Sequence, residues 1–171
     1  MGSKKISPVA ASAQNLDRFD LRILDQLQQD CTLPLAELAR RVGLSTSPCW
    51  RRIKRLQEMG LIKRQVAQLD RLQLGLGFVV YAYVQLKDTS RESLESFERA
   101  VAEWPEVVLC ELMTGAADYL IKVVTTDVQG YDRFLRNKLF TIGLVTDSQS
   151  RIVVSTIKDT SRLPLPDQPE G

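Results

Sequence analysis

Apolar residues recur at helical spacing through the first third of the chain and at strand spacing beyond it. In "LDRFDLRILDQLQQD", Phe19, Ile23 and Leu27, with Leu24 beside them, share one stripe. Asp17 is placed to cap this helix, Asp20 suits its electropositive start, and Leu16 can staple onto Leu21. A second helix reads from "LPLAELARRVG", where Pro34 fits the first helical position, Leu35, Leu38, Ala39 and Val42 repeat, and Gly43 supplies the stop. The third comes from "STSPCWRRIKRLQEMG", with Ser47 as N-cap and Pro48 next. Cys49, Ile53, Leu56 and Gly60 fall on one narrow face, and Arg51, Lys54, Arg55 and Glu58 spread over the other. Only "LS" separates the second helix from the third, which implies a steep crossing and a helix-turn-helix. The trailing "MGLIKRQVAQL" alternates like a strand and carries Lys63 and Arg64, as a wing does.

From Gly77 onward the order becomes strand, helix, strand, strand, helix, strand. "FVVYAYVQL" is β-rich, Ser90 opens a helix through Leu94, Phe97, Val101 and Trp104, and "EVVLCELM" and "DYLIKVV" flank a short turn. A helix through Val128, Tyr131, Leu135 and Leu139 follows, and "SRIVVSTIK" is the last strand. This predicts an α+β chain: an N-terminal winged helix-turn-helix and a C-terminal ferredoxin-like βαββαβ sandwich. Along 78–86 both alternating sets are apolar or aromatic, Phe78, Val80, Ala82, Val84 and Leu86 against Val79, Tyr81 and Tyr83. Helices cover one sheet face, so the other predicts a homodimer formed sheet to sheet. The expected divisions are an arm over 1–15, a reading domain over 16–66, a linker over 67–77, the sandwich over 78–163 and a tail over 164–171.

Charge sharpens this division. The net +2 of the 171 residues splits into +4 for 16–66, ten Lys or Arg against six acids, and −3 for 67–161, ten against thirteen. A cationic module joined to an acidic one points to nucleic acid as the first module's partner. The chain has no histidine, which removes imidazole bases, Ser-His and Cys-His pairs and most zinc sites. The three cysteines, Cys31, Cys49 and Cys110, are too far apart for a redox motif. No catalytic constellation, metal site or cofactor is expected, and no apolar run reaches the roughly 20 residues of a membrane span. The polar first fifteen residues read as a disordered arm without a secretory core, and the protein as cytoplasmic.

A charged outer face is what any surface helix shows, but here the cationic helix follows a tight turn, begins with small polar residues and is trailed by a basic strand. That context points to double-stranded DNA. Thr46, Ser47, Trp50, Arg51 and Lys54 are candidates for base contact, and Arg52, Arg55, Lys63 and Arg64 for phosphate. Trp50 stands between two readings, packing against a neighbouring helix or touching DNA. Cys49 reads as a small buried apolar residue. The "TGAAD" turn at 114–118 is either a plain hairpin, with Gly115 and Asp118 fixing it, or a backbone cradle for the carboxylate of an amino acid.

Through "LDRFDLRILDQLQQD", "ELARRVGLSTSPCWRRIKRLQEMGLI" and "GAADYLIKV", the chain from about Leu16 to Leu163 resembles the leucine-responsive and asparagine-synthetase regulator family, Lrp/AsnC. The resemblance implies a bacterial or archaeal, nucleoid-associated transcription regulator with a ligand domain called RAM, dimers assembling into octamers, and an amino-acid effector held between dimers. It carries DNA contact to Ser45 through Arg55, adding Ser45 and Pro48, and effector contact to Met113, Gly115, Ala116, Ala117, Asp118 and Tyr119, with Thr146 and Ser148 at the rim. The segments "QQDCT" and "PCWRR" are similar to cysteine-responsive regulators, which suggests cysteine or another sulfur or branched amino acid. Where the family often has an acid and an aromatic after the loop glycine, Ala116 and Ala117 widen the pocket and remove a charge. A Pro-Gly pair common before the last strand is here Ile142-Gly143-Leu144. Two alternatives stand beside this reading: an effector-independent protein that wraps DNA, and an enzyme or stand-alone sensor whose helices bind protein.

Overall fold

Capping chemistry starts the first helix. Asp17 Oδ1 accepts from the N–H groups of Phe19 at 2.8 Å and Asp20 at 3.0 Å, while the Asp17 N–H donates to Asp20 Oδ2 at 3.0 Å. This reciprocal box satisfies donors that a helix start would leave open. The computed structural model describes residues 16–166, so the expected arm over 1–15 and the end of the tail lie outside the described residues. Those residues form two compact units, one of 16–67 with 159–166 and one of 68–158.

The first unit holds α1 (Arg18–Gln29), α2 (Leu35–Val42) and α3 (Thr46–Glu58). Pro34 takes the N-cap of α2 rather than its first turn, since its ψ of 141° is extended. Gly43 closes the helix at φ 77°, a left-handed conformation that suits glycine. Helix α3 begins two residues earlier than expected, with Ser45 at the N-cap and Pro48 within the first turn, where a missing N–H costs no helical bond. Ile23, Leu38, Ala39, Val42, Cys49 and Leu56 form the core of this unit, all fully buried or nearly so. Phe19 departs from the predicted stripe and lies under the guanidinium groups of Arg18 at 4.9 Å and Arg52 at 5.5 Å.

One expectation changes here. Residues 63–70 join no strand, and Val66 and Leu69 are exposed, so the alternation there does not become a paired wing strand. A strand needs a ladder partner, and none of the described residues offers one. Residues 159–166 pack with the helices of the first unit. Arg162 Nη2 meets Asp25 Oδ1 at 2.6 Å and the Leu163 N–H donates to Gln28 Oε1 at 2.7 Å, so 159–166 fold with the helices.

The second unit runs β1 (Phe78–Leu86), α4 (Arg91–Ala102), β2 (Val107–Leu112), β3 (Tyr119–Thr125), α5 (Val128–Phe134) with a π-helical turn over Leu135–Leu139, and β4 (Val145–Ile152). The sheet is antiparallel in the order β2-β3-β1-β4, which confirms the βαββαβ sandwich. Val80, Ala82, Val84 and Leu86 line the helix-covered face with Phe97, Tyr119, Ile121, Phe134 and Leu139. The last strand sits five residues ahead of its expected start. Register places Ser148 beside Val84 and Ser150 beside Ala82, so polar "VTDSQSRI" is the edge strand, while Val154 and Ile157 of the apolar run are exposed. An edge strand borders solvent, so its pairing is set by the backbone of β1 rather than by an apolar face. In the last helix Val128 is exposed, and Tyr131, Phe134 and Leu139 enter the core, the π turn widening the step from Phe134 to Leu139 to five residues.

Candidate nucleic-acid interface and effector loop

The first turn of α3 presents small polar groups beside a large aromatic. Ser45, Thr46, Ser47, Trp50, Arg51 and Lys54 are all exposed, with Pro48 half-buried behind them. Thr46, Ser47, Trp50 and Arg51 surround a shallow hollow of about 580 Å³ whose far wall is Leu35 of α2. Trp50 is 51% exposed, which settles its packing: it does not fill a helix-helix interface within the unit. Lys54 Nζ stands 5.8 Å from the centre of its ring. Arg51 and Lys54 form no ion pair among the described residues, so their charge is available to an anion. Lys63 and Arg64 are also exposed, beyond the helix.

Arg52 and Arg55, expected to meet phosphate, make ion pairs within the unit. Arg52 Nη1 bonds Asp17 Oδ2 at 2.7 Å and Asp20 Oδ1 at 2.9 Å, and Arg55 Nη2 bonds Asp20 Oδ2. Asp20 has no exposed surface, so these pairs tie α3 to the start of α1 from within. Burial would raise the Asp17 carboxyl, but the Asp20 N–H and the Arg52 guanidinium outweigh it and hold the group below the usual carboxylate range. The two arginines thus orient α3; Arg52 is turned inward and Arg55 keeps part of its side chain at the surface. Cys49 is fully buried, and burial pushes its thiol up despite the nearby Arg52, the environment of a packing residue.

At the other candidate site the turn is held from three sides. Gly115 has φ 118°, the Met113 N–H donates to the Asp118 carbonyl at 2.8 Å, and the Asp118 N–H donates to the Val84 carbonyl at 3.0 Å. Asp118 Oδ2 accepts the Leu86 N–H at 2.7 Å, so this carboxylate secures the end of β1. Tyr119 is buried, its hydroxyl donating to Glu98 Oε1 at 3.0 Å; burial first and Glu98 second push its phenol up. Ala116 is exposed and Ala117 half-buried, and Thr146 is exposed near the start of β4. Register brings Ser148, Val84 and Tyr119 into one row across the sheet. Ser148 Oγ is buried and has no hydrogen-bond partner among the described residues, an open polar position close to the loop.

Sequence reading missed Leu35 as a wall of the hollow beside α3, Asp17 and Asp20 as partners of Arg52 and Arg55, and Glu98 and Leu86 as partners of the loop. The Asp17-Asp20 spacing announces a capping box, but nothing local announces that the same carboxylates receive Arg52 and Arg55. Glu98 lies 21 residues from Tyr119, a contact that only the tertiary fold creates.

Two family models match: "Lrp/AsnC ligand binding domain" over residues 79–163 and "Winged helix-turn-helix DNA-binding" over 16–63. A proline dehydrogenase transcriptional activator of Rhizobium radiobacter is 39% identical, covering 85% of this chain and 94% of its own length. The DNA-binding transcriptional activator DecR of Escherichia coli K12 is 38% identical over 88% of this chain and 99% of its own. Among solved structures, a Neisseria meningitidis transcriptional regulator in complex with L-Met superposes with a TM-score of 0.84 at 37% identity, covering 88% of this chain and 97% of that one.

Proposed function

From membership of the Lrp/AsnC family of transcription regulators, to which the chain belongs, we propose that it reads an operator through the first turn of α3 and answers to a small amino acid through its second unit. The family consists of DNA-binding regulators, not enzymes. The observation that carries the reading is the exposed set Thr46, Ser47, Trp50, Arg51 and Lys54 along one side of α3, the first four of them around a hollow. Small polar residues there allow close approach to base edges, and the cations beside them, unpaired among the described residues, meet phosphate. Ser45 and Pro48 shape that turn, Lys63 and Arg64 add phosphate contacts, and Arg52 and Arg55 hold the helix in place.

For the effector, Met113, Gly115, Ala116, Ala117, Asp118 and Tyr119 form one wall and Thr146 and Ser148 the rim. The vacant Ser148 Oγ supports a polar ligand group there, and the two alanines leave room for a side chain. A sulfur or branched amino acid fits this chemistry, cysteine and methionine included; the Neisseria relative holds L-Met. The protein works as a dimer that builds an octamer, in the cytoplasm of a bacterium or archaeon and on its nucleoid. No described helix is long and apolar enough to cross a membrane.

The test is fluorescence anisotropy with the DNA upstream of this protein's own gene, at two salt concentrations, with and without a mixture of all amino acids. Salt-sensitive binding that shifts with the mixture supports both halves of the reading. Binding equal to that of unrelated DNA in every condition rejects it for that operator. One observation favours the effector-independent alternative: Asp118 and Tyr119 spend their polar groups on Leu86 and Glu98, as a plain turn would. Calorimetry that finds no heat with any amino acid decides for that alternative.

A further inference from the structure

The chain passes between the two units twice, at 67–68 and again at 158–159, and its last described residues return to the reading unit. They return to a defined seat. The Leu163 N–H donates to Gln28 Oε1 at 2.7 Å while Gln28 Nε2 donates to the Leu163 carbonyl at 3.2 Å. The carboxamide thereby imitates the peptide group of a neighbouring strand, satisfying both backbone polar atoms of one residue. Arg162 pairs with Asp25 three positions earlier on α1, at 2.6 Å. Leu165 and Pro166 then line a groove with Leu21, Arg22, Gln26 and Val42. Pro164 and Pro166 each fix a φ angle, which lowers the ordering cost of seating an extended peptide.

The other end of this segment leads to the effector rim by a short path. Thr146 and Ser148 lie on β4, the Val153 N–H still bonds the Val79 carbonyl at 2.9 Å, and Val154 and Ile157 are almost fully exposed before Asp159. Five residues, 154–158, therefore separate the sheet from the docked peptide.

We propose that residues 159–166 are an intramolecular ligand of α1, a strap whose docking gives the reading unit a second covalent link to the effector-binding unit and whose release leaves one. This rests on the reading of the first unit as the DNA binder. With both links engaged the reading helix samples fewer orientations, so two copies held in one assembly meet their half-sites at lower entropic cost. An effector seated against Ser148 acts on the strand from which the strap departs, and strap release is then the step that lowers affinity.

Hydrogen exchange by mass spectrometry on the full chain tests the seat, and anisotropy with the upstream DNA tests its consequence. In the wild type the Leu163 amide should exchange at least about tenfold more slowly than an unstructured amide. Asp25→Ala/Gln28→Ala should abolish that protection. Leu163→Pro, which removes the donated N–H without touching α1, is the second strap-freeing variant for the DNA measurement. Peptides of α1 to α3 should exchange as before in both variants, and DNA affinity should fall by about three- to tenfold. An unprotected Leu163 in the wild type overturns the seat. Variants that free the strap and bind DNA within twofold of wild type overturn the coupling. If the wild type fails to bind the DNA at all, exchange still decides the seat, while the functional reading and the coupling that rests on it fall together.

Discussion

Asp20 does more than start a helix. It is fully buried, it accepts the Asp17 N–H, and it receives both Arg52 and Arg55. Replacing it by alanine leaves two guanidinium groups without that partner and opens the cap. Loss of one partner in a buried ion pair costs about 3–5 kcal/mol, and the partial exposure of both arginines places this case near the lower figure. Asp20→Ala should therefore lower the thermal midpoint of the first unit by several degrees in differential scanning calorimetry; a midpoint unchanged within a degree removes Asp20 from the structural account. Acid should act through its neighbour. The Asp17 carboxyl is held below its ordinary value in the folded chain, so its contribution is complete above about pH 4 and fades as pH falls through the depressed value. Asp17→Asn keeps the cap but has no carboxyl to protonate, and the acid side of its melting profile should be flatter than that of the wild type.

At the scale of the element, α3 divides its cations by direction. Arg51 and Lys54 are exposed and unpaired among the described residues, whereas Arg52 and Arg55 pair with the start of α1. Arg51→Ala and Lys54→Ala should each reduce the slope of log affinity against log salt by about one unit, at unchanged melting temperature. Arg52→Ala should instead lower the melting temperature with little change in slope. The opposite assignment of effects would mean that the helix meets DNA by another face. This division was only half legible in the sequence. A 3.6-residue period shows which side of a helix is buried, and it placed Cys49 and Leu56 correctly. It cannot show that two cations at the border of that side meet carboxylates 32 to 35 residues away. Cap position was ambiguous for a local reason: Ser45, Thr46 and Ser47 can all cap, and Pro48 is tolerated anywhere in the first turn. The strands tell the same story. β1, buried between neighbours, was read to the residue, while β4 was missed by five because an edge strand carries polar side chains and takes its register from its partner.

For the whole molecule the unfinished surface is the sheet face away from the helices. Val79 and Val124 are buried there, but Tyr81 lies under Lys122 at 5.8 Å and Tyr83 under Arg151 at 4.9 Å. The face expected to be bare is thus amphipathic, two aromatic rings each carrying a cation, with Glu111 and Asp147 on the flanking strands at alternate positions that face the same way. Such a surface suits a two-fold partner, since aromatic residues anchor interfaces and each copy offers both signs of charge. Tyr81→Glu/Tyr83→Glu adds an acid to each anchor position and should convert the assembly to single chains by analytical ultracentrifugation, with the far-ultraviolet spectrum retained. DNA affinity should then fall by more than about tenfold, because two reading units lose the link that makes the second contact intramolecular. A variant that sediments with the mass of the wild-type assembly would place the dimer contact elsewhere. One that dissociates yet keeps its affinity would mean that a single reading unit supplies all the binding, and that pairing through this face serves effector sensing alone.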